Sequence, residues 1–168
     1  TSVVMPSGIE LMGLGDESRC IQCHQGRAST ISVNAGIEEA GLSDPAAADT
    51  VSEEVGFSNI HYYAAAATQF GTMAKGGYEY DGNSYDANFA HVEGFDTCNG
   101  CHNPHTLELK MEECAACHAN DEVAIESADD LKNIRMEGSG VDYDGDGDTD
   151  EGIYYELETL QETLLAAI

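Results

Sequence analysis

Apolar residues recur at helical spacing most clearly near the end of the chain. Five of them follow one another at intervals of three and four residues: Ile153, Leu157, Leu160, Leu164 and Ala167. This spacing places them on one face of a helix, so we expect a helix over residues 153–168. Residues 28–40 also suit a helix, with Ser29 or Thr30 as the N-cap and Gly41 as the stop.

The remaining predicted elements are short. The alanine content of residues 59–69 favours a helix, Asp44-Pro45 suits the start of another, and residues 129–136 suit one helical turn. Aromatic and polar residues alternate over residues 78–85, which indicates a small hairpin. Residues 1–19 form an extended arm ending in a turn by this interpretation. The predicted fold class is mostly α and coil with minor β.

Composition adds a constraint on the core. The chain has 168 residues and 42% hydrophobic residues, but it has no Trp and only 7% aromatic residues. Small side chains make up much of the apolar content, so large side chains are few for an ordinary packed core. Bound cofactors are the expected substitute.

The charge is strongly acidic, with 32 acidic residues against 6 Lys and Arg and a net charge of −26. Such a surface repels nucleic acid and anionic membranes, and bound cations would offset its self-repulsion. A solvated acidic face that aids solubility is the alternative explanation. No apolar run of about 18 residues occurs, so no membrane span is predicted.

All six cysteines fall in one repeated pattern, Cys-x-x-Cys-His. The three copies are Cys20-Ile-Gln-Cys23-His24, Cys98-Asn-Gly-Cys101-His102 and Cys114-Ala-Ala-Cys117-His118. This is the attachment signature of c-type haem. Two thiols at this spacing can reach the two vinyl groups on one porphyrin edge, and the following imidazole then points at the iron. The motifs therefore predict three covalently bound haems.

Other uses of cysteine pairs explain the pattern less well. Zinc sites built from such pairs usually have four ligands, and three pairs do not divide into Cys₄ sites. A redox Cys-x-x-Cys motif would occur once, near a βαβ pattern that is not evident here. Disulfides within the pairs would leave the three adjoining histidines unexplained.

The histidine count matches the number of axial ligands that three haems need. Beyond the three motif histidines the chain has three more: His61, His91 and His105. We expect these to be the second axial ligands, because histidine is a common haem ligand. Methionine is the competing ligand, and five are available: Met5, Met12, Met73, Met111 and Met136. Of these, Met111 lies nearest to two motifs.

Pairing of the extra histidines with particular haems stays open. Proximity in the sequence favours His91 for the second haem and His105 for the third, leaving His61 for the first. However, Pro104 stiffens the turn from His102 to His105, so these two imidazoles are expected to face different irons. A ligand from another subunit is a further alternative.

Six filled axial positions would favour an electron carrier over an enzyme. Catalysis at haem needs an open position for substrate, and paired histidines without methionine predict low reduction potentials. The alternative in the enzyme class is a multihaem reductase with one open haem site. A zinc-binding interaction module is a third hypothesis.

An acidic run near the end resembles a calcium loop of the Asp-x-Asp-x-Asp-Gly kind. With Asp142 as position 1, Gly147 falls at position 6, where the loop needs a sharp turn. Position 12 is Ile153, so Glu151 is expected to act as the last ligand of a shortened loop. The predicted calcium ligands are Asp142, Asp144, Asp146, Asp148 and Glu151. A solvated acidic turn is the alternative interpretation.

The three motifs and the His-Asn-Pro-His segment resemble those of bacterial and archaeal multihaem cytochromes c. The similarity is strongest in residues 15–27, 59–67 and 90–98. It implies an exported protein, periplasmic or extracellular, that exchanges electrons with redox partner proteins or extracellular acceptors. Some members of this family polymerise into filaments with a continuous haem chain, which makes a homopolymer with haem contacts between subunits an expectation here.

The resulting organisation has four segments. Residues 1–19 are the arm, residues 20–118 a trihaem-binding domain, residues 119–141 a connecting segment, and residues 142–168 the acidic loop with its helix. With so few residues for three haems, we expect the porphyrins to form much of the core.

Overall fold

A computed structural model describes residues 1–42, 50–120, 124–135 and 139–168. The chain divides into two compact units, unit 1 (Thr1–Gly100) and unit 2 (Cys101–Ile168). This division falls inside the second cysteine motif, whereas the sequence-based segmentation keeps all three motifs in one segment. The predicted helix start at Asp44-Pro45 lies outside the described residues, as does Met136.

The first twelve residues of unit 1 form a β-hairpin. Strands β1 (Ser2–Val4) and β2 (Glu10–Met12) are antiparallel, with Val3 opposite Leu11. The turn between them is closed by the N–H of Met5, which donates to the Ile9 carbonyl over 2.8 Å. The prediction of a single extended arm is therefore wrong, because the Pro6-Ser7-Gly8 turn reverses the chain.

Unit 1 continues with short helices: α1 (Ser18–His24), α2 (Thr30–Glu39), α3 (Ala65–Gln69), α4 (Gly71–Ala74) and the start of α5 (Cys98–Cys101). The predicted N-cap of α2 is confirmed. The Ser29 hydroxyl accepts the N–H of Ser32, and the Ser32 hydroxyl accepts the N–H of Ser29. Gly41 has a φ of 72° just after this helix, as a helix stop requires.

Two predicted elements of unit 1 do not form as expected. The helix expected over residues 59–69 covers only α3, because His61 and Tyr63 adopt left-handed backbone angles that interrupt it. The hairpin expected over residues 78–85 is only a turn. There the Tyr85 hydroxyl accepts the backbone N–H of Tyr80, and no strand forms in this segment.

The core of unit 1 lies between the hairpin and helices α1, α3 and α4. Its buried members are Val3, Met5, Leu11, Leu14, Ile21, Ala66, Phe70 and Ala74. Ile21 is completely buried and fixes α1 to this core. Ile21 lies between the two cysteines of the first motif. Its side of α1 packs on the core, whereas Cys23 and His24 are exposed.

Unit 2 contains α6 (Met111–His118), a 3₁₀ turn (Asp130–Asn133) and α7 (Ile153–Ala167). The predicted terminal helix and the predicted turn near residue 130 are confirmed. Of the residues described in unit 2, Ile125 is the only buried hydrophobic one. Buried apolar side chains alone therefore give this unit little stability.

The described residues as a whole are mostly helix and coil with one two-stranded sheet, which confirms the coarse fold class. No helix among them has the length and apolar character needed to cross a membrane.

Candidate functional site

The first cysteine motif lies on α1. Cys20 is partly buried, whereas Cys23 and His24 are exposed. The carbonyl of Tyr63 accepts a hydrogen bond from Nδ1 of His24 over 2.6 Å. A carbonyl can only accept, so Nδ1 carries the proton and Nε2 keeps a free lone pair. This bond gives His24 the tautomer and orientation of a metal-binding imidazole.

The second motif occupies α5 and the residue after it. The backbone N–H of Cys98 donates to Glu17 over 3.1 Å, and Glu17 is itself buried just before α1. Glu17 thus joins the first and second motifs within unit 1. In unit 2, Nδ1 of His102 donates to the carbonyl of Leu107 over 3.1 Å, which again leaves Nε2 free.

The third motif lies at the end of α6, with Cys114 and His118 partly buried and Cys117 exposed. The backbone N–H of Lys110, the residue before α6, donates to the carbonyl of Cys101 over 2.9 Å. The second and third motifs therefore approach each other within unit 2.

All six thiols are free. Burial raises the pKa of the Cys98 thiol to about 12, and the neighbouring charge of Glu17 adds to the effect. Burial also raises the pKa of Cys101, assisted by Cys114. Among the described residues, no cysteine belongs to a cluster of three or more metal-binding side chains.

The three additional histidines lie outside the regular elements. His61 is partly buried, and its imidazole lies 4.2 Å from the Tyr62 ring, measured between ring centroids. His91 and His105 are exposed. Each therefore has a side chain that a cofactor can reach. Among the competing methionines, Met5 is 2% exposed and belongs to the unit 1 core, so it serves as packing.

The acidic loop of unit 2 brings most of the predicted calcium ligands together. Carboxylate oxygens of Asp142, Asp144 and Asp146 lie within 4.8 Å of one another. Those of Asp144, Glu151 and Glu156 form a second such group. Asp148, also predicted as a ligand, belongs to neither group, and its Oδ1 accepts the N–H of Asp150 over 2.9 Å.

Two oxygens in this loop are buried without a hydrogen-bond partner: Oδ2 of Asp144 and Oε1 of Glu151. Buried carboxylate oxygens are costly unless a donor or a cation meets them. Burial raises the pKa of Glu151, and the charges of Asp146 and Asp144 raise it further. The loop therefore has the donor set and the excess negative charge of a site for a hard cation such as Ca²⁺.

Sequence reasoning missed Glu156, which is completely buried at the start of α7. One of its oxygens accepts from Arg135 over 2.6 Å, and the other accepts the N–H groups of Tyr143, over 2.7 Å, and Asp144. Burial would raise the pKa of Glu156, but these bonds outweigh it and lower the pKa. Glu156 therefore fixes the backbone that carries the first loop carboxylates.

Other residues of the site also gave no local signal. Glu17, Tyr63 and Leu107 contact the motifs through hydrogen bonds, two of them through backbone carbonyls that no residue type reveals. Arg135 donates to the carbonyls of Ser139, Val141 and Glu151 as well as to Glu156. Most of these contacts join residues that are distant in sequence, so the residue types alone do not indicate them.

Comparison with known proteins finds no matching family, no similar curated protein and no similar solved structure.

Proposed function

We propose that this chain is a trihaem c-type cytochrome that transfers electrons. The observation that carries the proposal is the threefold Cys-x-x-Cys-His motif, with every thiol free and two of the motif histidines held by Nδ1. The haems would be held by thioethers at Cys20 and Cys23, at Cys98 and Cys101, and at Cys114 and Cys117. When bound, they supply one-electron redox chemistry.

The chain's own residues orient these groups. Tyr63 and Leu107 hold the motif imidazoles by Nδ1–H···O bonds, which make the ring a stronger donor to iron. His61, His91 and His105 supply the second axial ligands in this proposal. Iron bound by two histidines would have no open position, which would separate the carrier from a reductase with one open haem site.

The distribution of apolar side chains also supports haem binding. Several large aromatic or aliphatic residues are strongly exposed, among them Tyr62 at 73%, next to the His24 partner Tyr63, and Leu107 at 70%, the partner of His102. Unit 2 has 68 residues (101 to 168) but one described buried hydrophobic residue. Porphyrin faces would cover such side chains and supply the apolar burial that the polypeptide lacks.

We also propose a structural Ca²⁺ at the acidic loop, bound by Asp142, Asp144, Asp146 and Glu151. The buried, unpartnered oxygens of Asp144 and Glu151 support it. The ion would offset part of the loop's charge and tie residues 142–151 to the start of α7.

In this proposal the protein works outside the cytoplasm, with redox proteins, extracellular acceptors or further copies of itself as partners. The acidic surface and its need for cations are consistent with that setting. Electron microscopy with Ca²⁺ present tests the polymer. Filaments are the expected result, and dispersed particles alone would exclude them.

Spectroscopy of the reduced protein tests the electron-carrier proposal. We expect low-spin haem that does not change with carbon monoxide, because both axial positions are filled. His61→Ala, His91→Ala and His105→Ala should each convert one haem to high spin. A carbon monoxide adduct in the unaltered protein would favour the reductase, and a protein with zinc and no Soret band would exclude haem.

A further inference from the structure

Two five-residue segments share an unusual arrangement, and we call them the first bracket (residues 59–63) and the second bracket (residues 103–107). Each begins with Asn, has His at its third position and ends on a residue with a left-handed backbone. The end residues are Tyr63, with a φ of 54°, and Leu107, with a φ of 64°.

The same two hydrogen bonds define both brackets. In each, the Asn side-chain oxygen accepts the backbone N–H of the bracket histidine, over 2.8 Å for His61 and 2.9 Å for His105. The carbonyl of the last residue accepts Nδ1–H from a motif histidine, over 2.6 Å from His24 and 3.1 Å from His102. Each bracket therefore contains one proposed axial ligand and accepts a hydrogen bond from Nδ1 of a second one.

The direction of the bond restricts which iron His61 can reach. Nδ1 and Nε2 lie on opposite sides of an imidazole ring, and Tyr63 occupies the Nδ1 side of His24. Iron bound at Nε2 therefore lies on the far side of the His24 ring from Tyr63. The second axial ligand of that iron would bind on the opposite face of the porphyrin from His24, and therefore farther from Tyr63 than the iron is.

His61 is only two residues from Tyr63, a stretch that spans about 7 Å when fully extended. It is not extended, because His61 itself has a φ of 80° and its N–H is held by Asn59. So short a segment cannot pass around the edge of a porphyrin from the His24 side to the opposite face.

We infer that His61 binds the iron of a haem other than the one bound by His24. The inference rests on the proposed function and revises the pairing that proximity in the sequence suggests. Within unit 1 the other attachment residue is Cys98, which Glu17 ties to the start of α1. Each bracket thus accepts a hydrogen bond from the imidazole that binds one iron and supplies a histidine that binds another iron. The bracket histidine lies two residues before the accepting carbonyl, so this short stretch of chain links neighbouring haems.

Counting high-spin haems in a double variant tests this inference, with intact mass used to select chains that carry all three haems. His24→Gly and His61→Gly should each produce one high-spin haem of three, counted by electron paramagnetic resonance and magnetic circular dichroism. If the two histidines serve different irons, His24→Gly/His61→Gly produces two. One high-spin haem in the double variant, or none in His61→Gly, overturns the inference.

Controls separate the inference from folding and from the proposed function. Tyr62→Gly changes the bracket without removing a ligand and should leave all haems low-spin. Added imidazole should return the glycine variants to low spin, which shows that their haem sites remain folded. His102→Gly/His105→Gly should also give two high-spin haems, since the second bracket has the same geometry. Absence of haem in the unaltered protein would instead reject the proposed function.

Discussion

His24 donates its Nδ1–H to the backbone carbonyl of Tyr63, a residue 39 positions away that adopts a left-handed backbone. The same relationship joins His102 to Leu107 in unit 2. A carbonyl aimed at a histidine from a strained backbone position is typical of functional sites, where surrounding structure maintains the strain. In this chain the surrounding structure includes the Asn side chains at positions 59 and 103.

The first prediction concerns this carbonyl. Tyr63→Val places a β-branched residue at a φ of 54°, which costs about 1–3 kcal/mol of backbone strain. We expect the carbonyl to shift, the Nδ1–H···O bond to weaken, and the reduction potential of the first haem to rise because His24 becomes a poorer donor. Potentiometric titration measures this change.

Tyr63→Gly is the matched control, since glycine adopts the left-handed backbone freely and should leave the potential nearly unchanged. Equal potentials in the Val and Gly variants would show that the bond has no influence on the first haem.

A second prediction concerns the contact between α7 and the 3₁₀ turn of unit 2. A Cβ atom on Gly152 would come within 2.7 Å of the Asn133 Cα and even closer to the Lys132 carbonyl. Gly152→Ala should therefore destabilise unit 2 by about 1–3 kcal/mol, as overpacking does. Gly140→Ala, where nothing lies within 4 Å, should cost little. Chemical denaturation measures both, and similar losses in the two variants would contradict this account of the contact.

A third prediction concerns the acidic loop. Ca²⁺ at 100 times its dissociation constant should stabilise the folded chain by about 2.7 kcal/mol, because it binds the folded loop. Asp144→Asn should abolish most of this gain, since Asp144 belongs to both carboxylate groups and has a buried unpartnered oxygen. Asp150→Asn is the control, because Asp150 belongs to neither group. Melting curves with and without Ca²⁺ that coincide in the unaltered protein would exclude the site.

A fourth prediction concerns the pH dependence of the turn at residues 126–130. Backbone N–H bonds from Glu126 and Ser127, together with the Ser127 hydroxyl, lower the pKa of Asp130. A lowered pKa in the folded state means that this stabilisation is complete above the ordinary carboxyl pKa of 3.8 and is lost as the pH falls through the lowered value.

Carboxyl titration by NMR should therefore give Asp130 a pKa below the ordinary carboxyl value of 3.8. Asp130→Asn should remove the corresponding acid-induced change in the Glu126 and Ser127 amide shifts. An Asp130 pKa at or above 3.8 would contradict the hydrogen bonding described for this turn.

Elements with a local cause were predictable from the sequence. The spacing of Ile153 and Leu157 suffices for α7, and Ser29 with Gly41 suffices for the limits of α2. The segment over residues 59–69 was not predictable from alanine content. His61 and Tyr63 have left-handed backbone angles there, and they hydrogen-bond with Asn59 and His24, contacts that helix propensity does not include.

The candidate site divides in the same way. The haem motifs and the acidic loop are contiguous in sequence, so their residue types and spacing indicate their chemistry. The residues that orient them are distant in sequence. Glu156 and Arg135 meet across 21 positions, and Glu17 and Cys98 meet across 81. Such pairs follow from tertiary packing, for which one sequence contains no direct signal.

The measurement that tests the central claim most directly is the haem content of the chain, made in a host that attaches haem to thiols. Intact mass after denaturation, with the pyridine haemochrome spectrum, should show three covalently attached haems per chain. Cys20→Ala/Cys23→Ala, Cys98→Ala/Cys101→Ala and Cys114→Ala/Cys117→Ala should each show two. A chain whose mass equals that of the polypeptide alone, with six titratable thiols, would contradict the account.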